Sequence, residues 1–154
     1  MAIAVELETP IARNCDDVFA RLVELAAYPE WLVASGIVRA EALGAGPLAP
    51  GTPIRVEQRI AGRATVLEGA VTAFEPGRRF GFKAKDPEGI SIDVDGRLDA
   101  DGATCRLVWA VKLGLPLKYR LFESMVAPEV RRAAATDLEA FRRRLQSVAG
   151  EGRG

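Results

Sequence analysis

The sequence contains no histidine among its 154 residues. This absence excludes the commonest general base, the commonest metal ligand and every Ser-His or Cys-His nucleophile pair. The only cysteines, Cys15 and Cys105, are far apart and lack the Cys-x-x-Cys spacing of zinc sites and thioredoxin-type redox pairs. We therefore expect no metal site and no cofactor, and we expect both cysteines to be reduced thiols.

Long apolar runs and an excess of charge are missing as well. No apolar run approaches the roughly 20 residues that a helix needs to cross a bilayer. Residues 1–6 show neither the basic segment nor the long apolar stretch of a secretory signal. The 21 basic residues balance 21 acidic residues, so no net positive field is available to attract a phosphate backbone. We expect a cytoplasmic protein without a membrane span that does not bind nucleic acid.

Length and composition indicate one folded domain. A chain of 154 residues, 49% of them hydrophobic, can bury one contiguous core and is too short for two well-supported ones. We expect residues 1–149 to form a single domain and residues 150–154 to be a flexible C-terminal tail.

The N-terminal residues predict a strand followed by two short helices. Ala2 to Thr9 alternates apolar and polar residues with the period of a half-buried strand. Pro10 interrupts the alternation, Asn14 is suited to cap a helix, and apolar residues then recur at helical spacing to about Ala26. Pro29 suits the first turn of a second, shorter helix.

Residues 37–113 predict an antiparallel sheet. Turn residues such as Asp101-Gly102 separate short alternating segments, as they do in hairpins. The six further strands are predicted at Ile37–Leu43, Ile54–Ile60, Ala64–Phe74, around Phe80, Phe82 and Ala84, at Ile90–Leu98 and at Cys105–Leu113.

A long helix is predicted after Pro116. Its apolar stripe would pack on the sheet, and Pro128 must kink or restart it. The stripe consists of Leu117, Leu121, Met125, Leu138, Phe141, Leu145 and Val148. The predicted fold class is α+β, with a seven-stranded curved antiparallel sheet around this helix and two short helices between strands one and two. The space between sheet and helix would be an apolar pocket.

Five short motifs carry a resemblance to a known family. They are Asp16-Asp17-Val18-Phe19, Tyr28-Pro29-Glu30-Trp31, Gly51-Thr52, Phe74-Glu75-Pro76-Gly77-Arg78 and Asp101-Gly102-Ala103-Thr104. Together with the order of elements, they make the whole chain resemble the START-like SRPBCC superfamily, and its polyketide cyclase/dehydrase-like branch most closely. The resemblance implies the helix-grip fold and a cavity beneath the long helix. Many members bind lipids, hormones, quinones or polyketides in this cavity, and other members catalyse reactions there.

The predicted cavity implies a set of residues that line it. The ligand-cavity residues that we expect are Tyr28, Trp31, Val56, Gln58, Val66, Glu68, Phe82, Ile92, Val94, Trp109, Leu121 and Met125. The alternative for the apolar members is plain core. For Tyr28 and Trp31 the alternatives are an aromatic entrance to the cavity or a pair that fixes the two short helices to the core.

Catalytic residues are not identified by any motif. The weak candidates are Glu68 and Tyr119, with Gln58 as a further polar group. An inward-facing Glu68 would need a partner such as Arg97 to offset the cost of burying its charge. The alternative is a bulge that turns Glu68 outward.

The sequence therefore favours a non-catalytic protein that binds a small hydrophobic or amphipathic ligand in an internal cavity, for transport or sequestration. One alternative is a polyketide aromatase/cyclase-type enzyme that acts in the same cavity, and a second is a protein-interaction module that uses the outer sheet face. The absence of histidine and of a placed acid-base pair leaves the enzyme reading without support from individual residues. Neither the ligand nor the oligomeric state follows from the sequence.

Overall fold

Seven strands form one antiparallel sheet in this computed structural model, which describes residues 2–60 and 62–151. The strands are β1 (Ala2–Ile11), β2 (Ile37–Ala42), β3 (Pro53–Ile60), β4 (Arg63–Glu75), β5 (Arg79–Lys85), β6 (Ser91–Asp101) and β7 (Thr104–Gly114). Their order across the sheet is β1, β7, β6, β5, β4, β3, β2. Strands β2 to β7 therefore pair in sequence as a meander, and β1 closes the other edge beside β7.

Two short helices connect β1 with β2, which lie at opposite edges of the sheet. Helix α1 (Cys15–Leu22) begins after Asn14, whose side-chain oxygen accepts a hydrogen bond from Asp17 N–H at 2.8 Å. Helix α1 ends at Leu22, earlier than predicted. A 3-10 turn over Leu25–Ala27 then leads into α2 (Tyr28–Trp31). The predicted pair of short helices is confirmed.

The C-terminal helix α3 (Glu123–Glu151) follows a separate 3-10 helix at Leu117–Phe122. The later part of the predicted apolar stripe is buried in the core, namely Leu138, Phe141 and Leu145. The earlier part is exposed, namely Leu117, Leu121 and Met125. The expectation of one continuous packed stripe is therefore wrong, because Leu117 and Leu121 belong to a separate 3-10 helix and Met125 lies in the first turn of α3, ahead of the part that packs in the core.

The helix-grip fold predicted for the chain is confirmed, with one curved antiparallel sheet and one long C-terminal helix. The domain boundaries stay a prediction. Residues 152–154 of the expected tail, and the side chain of Val148, lie outside what the structure describes. Within the described ranges, no helix has both the length and the hydropathy that crossing a bilayer requires.

Strand β4 turns its alternate residues the opposite way from the prediction. Thr65 and Leu67 are buried, whereas Val66 and Glu68 are exposed. Leu67 lies opposite the buried Val56 of β3, so the two inward faces match. A shift of one residue exchanges the two faces of a strand, and this register avoids burying a carboxylate. The expectation of an inward Val66 and Glu68 is therefore wrong.

An aromatic cluster holds α2 between the sheet and α3. The ring of Trp31 lies 4.5 Å from that of Phe141 on α3 and 5.5 Å from that of Trp109 on β7. Tyr28 meets Trp31 edge to face at 5.4 Å, and all four residues are buried. Such pairs contribute about 0.5–1.5 kcal/mol each beyond the area that they bury. The cluster therefore stabilises one end of the space between helix and sheet.

Cys15 and Cys105 form a disulfide, with their Cα atoms 5.1 Å apart. The expectation of two reduced thiols is wrong, although 90 residues separate the cysteines in sequence. The pairing of β1 with β7 brings them together, since Ile11 lies opposite Cys105 and α1 begins four residues later. The disulfide joins the first turn of α1 to the start of β7.

Asp137 is a buried carboxylate on α3 that fixes loop 32–36. Its Oδ1 accepts a hydrogen bond from Ala34 N–H and its Oδ2 accepts one from Ser35 N–H, both at 2.9 Å. Loss of hydration on burial raises the pKa of Asp137 above its ordinary value of 3.8, and the hydrogen bonds oppose that rise. The carboxylate thereby ties the chain after α2 to α3.

Breaking the disulfide should destabilise the fold. We expect the double variant Cys15→Ser, Cys105→Ser to lose about 2–4 kcal/mol in free energy of unfolding, because the unfolded chain gains the conformations that the cross-link forbids. Urea unfolding of the oxidised and reduced protein measures this loss. The double variant is the control, since a reductant should not change its stability. Equal stability of oxidised and reduced wild type would contradict the disulfide.

Removing the carboxylate of Asp137 should free loop 32–36. We expect Asp137→Ala to lower the free energy of unfolding by about 1–3 kcal/mol at neutral pH, because two backbone N–H groups lose their acceptor. Urea unfolding measures this loss. Asp137→Asn, which keeps one acceptor oxygen, should lose less.

The contribution of Asp137 should also depend on pH. Its folded-state pKa is raised, so between that pKa and 3.8 the native state binds more protons than the unfolded state. Wild type should therefore gain stability relative to Asp137→Asn as the pH falls through this window. Urea unfolding of both proteins at several pH values measures the difference, and a difference that does not change with pH would contradict it.

Candidate functional site

A cavity of about 440 Å³ lies between the concave face of the sheet and the N-terminal half of α3. Strands β5, β6 and β7 supply its floor, α3 supplies its roof, and loop 32–36 with the end of β3 supplies one side. The lining residues are Leu32, Ala34, Ser35, Ile37, Gln58, Arg59, Ile60, Phe82, Ile92, Val94, Trp109, Val111, Leu113, Met125, Val126, Glu129, Val130 and Ala133.

The interior of this cavity is apolar because each strand turns alternate residues inward. Ile92 and Val94 of β6, together with Trp109 and Val111 of β7, follow the period of two that a pleated strand imposes. Charge is confined to exposed residues of the lining, Arg59 and Glu129. The cavity is therefore suited to an apolar body whose polar part stays near the surface.

A second cavity, of about 400 Å³, adjoins the first. The two share Ile60, Met125 and Val126, so these three side chains form the partition between them. The remaining residues around the second cavity are Arg63, Ile90, Leu115, Tyr119 and Phe122. Together the two cavities extend from the centre of the sheet to the 3-10 helix before α3.

Arg63 links three segments beside the second cavity. Its Nη1 donates to the hydroxyl of Tyr119 at 3.1 Å, and its Nη2 donates to Glu88 Oε1 at 2.8 Å. The hydrogen bond and charge of Glu88 raise the pKa of Arg63 above its ordinary value, so the guanidinium keeps its charge. These exposed contacts connect the start of β4, the loop between β5 and β6, and the 3-10 helix.

Gln58 places an amide in the wall of the first cavity. Its Nε2 donates to the carbonyl oxygen of Ser35 at 2.8 Å. Because Ser35 N–H donates to Asp137, the chain of hydrogen bonds runs from β3 through loop 32–36 to α3. Gln58 Oε1 is shielded from solvent and receives no hydrogen bond from any residue that the structure describes. It is therefore an acceptor in this wall with no partner in the described part of the chain.

The structure brings six of the predicted cavity residues together around the first cavity. They are Gln58, Phe82, Ile92, Val94, Trp109 and Met125. Sequence reasoning missed the contribution of loop 32–36 and two of the three partition residues, Ile60 and Val126. Val111 and Leu113 carried a signal, since they continue the inward face of β7 that includes Trp109.

Three other predicted lining residues belong to the core. Tyr28, Trp31 and Val56 are buried and do not border the first or the second cavity. The hydroxyl of Tyr28 donates to the carbonyl oxygen of Leu22 at 2.7 Å, and burial raises the pKa of this phenol. The two aromatic residues therefore fix α1 and α2 to the core, and they do not form the entrance to the cavity.

The last three predicted lining residues face solvent. Val66 and Glu68 lie on the outer face of the sheet, and Leu121 is exposed on the 3-10 helix. Glu68 Oε1 is 3.8 Å from Arg55 Nη2, an outer-face contact. Arg97, its expected partner, makes its hydrogen bond with Glu6 of β1 instead. A catalytic role for Glu68 inside the cavity is therefore wrong.

The remaining catalytic candidates do not assemble into an acid-base pair. Tyr119 borders the second cavity and bonds Arg63, whereas Gln58 cannot titrate and lies in the wall of the first. Within the described ranges, no three or more acidic or cysteine side chains are grouped so that they could hold a metal ion. Shape and apolar surface are the main properties that the site offers a ligand.

Several solved structures are similar to this chain over nearly its full length. The Zhui aromatase/cyclase from Streptomyces sp. R1128 has a TM-score of 0.73 and 17% identity, covering 95% of this chain and 94% of that chain. A START superfamily protein from Mycobacterium smegmatis has a TM-score of 0.75 and 14% identity, covering 94% of this chain and 98% of that chain. A protein from Thermus thermophilus has the same four values. At these identities the likeness shows the fold alone.

Comparison of the sequence with protein families identifies the family of this chain. No curated protein matches the chain. The family described as polyketide cyclase / dehydrase and lipid transport, however, matches residues 2–146. This match includes all seven strands and α3 as far as Gln146, which are the elements that build both cavities. With its helix-grip fold and its place among START-like structures, the chain belongs to the polyketide cyclase / dehydrase and lipid transport family.

Proposed function

We propose that this protein binds a small hydrophobic or amphipathic molecule in the cavity between its sheet and α3, for transport or sequestration. The observation that carries the proposal is the apolar cavity of about 440 Å³, which adjoins a second cavity of about 400 Å³. Sites for small molecules are typically concave, mostly apolar and about 300–1,000 Å³ in volume. The family description, which includes lipid transport, supports the same reading.

The chemistry of the ligand follows from the lining. Its body should be apolar, because the floor is formed by side chains such as Phe82, Val94 and Trp109. A polar or charged end can stay near exposed Arg59 and Glu129. A hydrogen-bond donor on the ligand would offset the cost of the buried Gln58 Oε1 if the amide turned toward it.

Filling the cavity should reduce ligand binding. Ala133 of α3 lines the first cavity, whereas Ala135 of the same helix is exposed. We expect Ala133→Phe to weaken binding of the apolar dye 1-anilinonaphthalene-8-sulfonate by about tenfold or more, because the new ring occupies the space of the ligand. Fluorescence titration measures the affinity.

Ala135→Phe is the matched control, since it adds the same ring on the solvent side, and it should bind the dye as wild type does. Native mass spectrometry of gently purified protein provides a second readout, in which wild type should carry a bound mass that Ala133→Phe lacks. Equal dye binding by the two variants, with no bound mass on wild type, would rule out the cavity as the binding site.

A cyclase reaction is the second candidate, favoured by the hydrogen bond between Arg63 and Tyr119 beside the second cavity. The similarity in fold to the Zhui aromatase/cyclase adds to it. A phenol held by a guanidinium could serve as a general acid toward a carbonyl oxygen. The protein-interaction alternative has less support, because the outer sheet face carries cross-strand ion pairs such as Arg79 with Asp95.

Tyr119→Phe separates binding from catalysis. We expect this variant to bind the dye like wild type, and we expect no cyclised product from wild type incubated with a linear aromatic polyketide. Chromatography with mass detection measures the product. The cyclase alternative would be established in place of simple binding if wild type formed the product, Tyr119→Phe formed at least about 100-fold less, and Glu68→Gln formed as much as wild type.

A further inference from the structure

The surface beside the second cavity exposes large apolar side chains at unusual density. Leu117 is 75% exposed, Leu121 is 88%, Phe122 is 51% and Met125 is 72%. They fall within nine consecutive residues, whereas the rest of the described chain exposes only three large hydrophobic residues, Val33, Val38 and Val66. We call the four residues the apolar surface patch. Exposed apolar surface of this kind usually marks a site of interaction.

Cations accompany the apolar surface patch. Lys118 and Arg120 lie between its members in sequence, are exposed, and make no salt bridge with any residue in the described ranges. Glu123 is the only acidic residue within residues 102–128. It is half-buried, and its Oε1 is shielded from solvent. Exposed charge within the segment that carries the patch is therefore mainly positive, and the exposed acidic residues Glu88 and Glu129 close to it form salt bridges with Arg63 and Arg132.

The apolar surface patch is continuous with the interior. Phe122 and Met125 border the second cavity, and Met125 also borders the first. Apolar side chains therefore extend from the exposed surface to the lining of both cavities. A partner that covers the patch would lie beside the ligand site.

We propose that the apolar surface patch docks on the surface of an anionic lipid bilayer. Leucine, phenylalanine and methionine side chains can enter the boundary between headgroups and acyl chains, while lysine and arginine attract anionic headgroups. This combination of exposed apolar groups and exposed cations complements such a surface. The proposal extends the proposed function, since a bilayer is where an apolar ligand would be collected or released, but docking itself needs no bound ligand.

Vesicle flotation tests the docking. Wild type should float with vesicles of phosphatidylcholine mixed with phosphatidylglycerol, and much less with phosphatidylcholine alone. Leu117→Asp with Leu121→Asp should reduce the partition coefficient by about tenfold or more, because carboxylates replace the side chains that would insert. Neither residue borders the first or the second cavity. Val38→Asp with Val66→Asp, on exposed valines elsewhere, is the matched control and should float like wild type.

Charge variants test the electrostatic part. Lys118→Gln with Arg120→Gln should reduce partition onto the anionic vesicles by about thirtyfold, since each basic residue near such a surface contributes a factor of about five. Arg78→Gln with Arg131→Gln removes two other exposed cations and should have a much smaller effect. Ala133→Phe should still float, so that loss of ligand binding and loss of docking are observed separately.

Three results would overturn the proposal. The first is that wild type does not float with anionic vesicles, and the second is that the patch variants float as well as their controls. The third is that light scattering shows a wild-type dimer that the Leu117→Asp, Leu121→Asp variant loses, because a second copy of the chain would then cover the patch.

Discussion

The contact between the C-terminal half of α3 and the sheet is the constraint on which the rest of the structure depends. Leu138, Phe141 and Leu145 pack into the core, and Trp31 fills the gap between Phe141 and Trp109. The sheet is curved, so a helix that packs against it at one end leaves space at the other. The cavity is thus a consequence of anchoring the helix at one end only, and the side chains of the N-terminal half line that space without filling it.

The fold was predictable because local signals agreed with one another. Alternation set the strands, turn residues separated them, and a helix cap started α1, so the order of elements followed from short-range patterns. The site was less predictable because it depends on register. β4 contains apolar residues in both alternations, and only its pairing with β3 decides that Leu67 faces inward and Glu68 outward. The disulfide could not be predicted from the sequence for a related reason, since it depends on the long-range pairing of β1 with β7.

Polar groups inside the structure fix the edge of the cavity and leave its centre apolar. Asp137 holds the backbone of Ala34 and Ser35, and Gln58 holds the carbonyl of Ser35. These hydrogen bonds join two elements, α3 and β3, to the same loop, so the loop cannot move without breaking several bonds at once. On the opposite side, Arg63 connects Tyr119 and Glu88. These are surface contacts that water can replace. The two sides of the interior space therefore differ in rigidity.

The partition between the cavities has a consequence for how the interior can adapt. Ile60 and Val126 are branched and stiff, but Met125 is unbranched, has three rotatable bonds, and is the most exposed of the three. The wall between two spaces of nearly equal size therefore contains one flexible side chain beside two stiff ones. Of the three side chains that separate the two cavities, Met125 is thus the one best able to adapt to its surroundings.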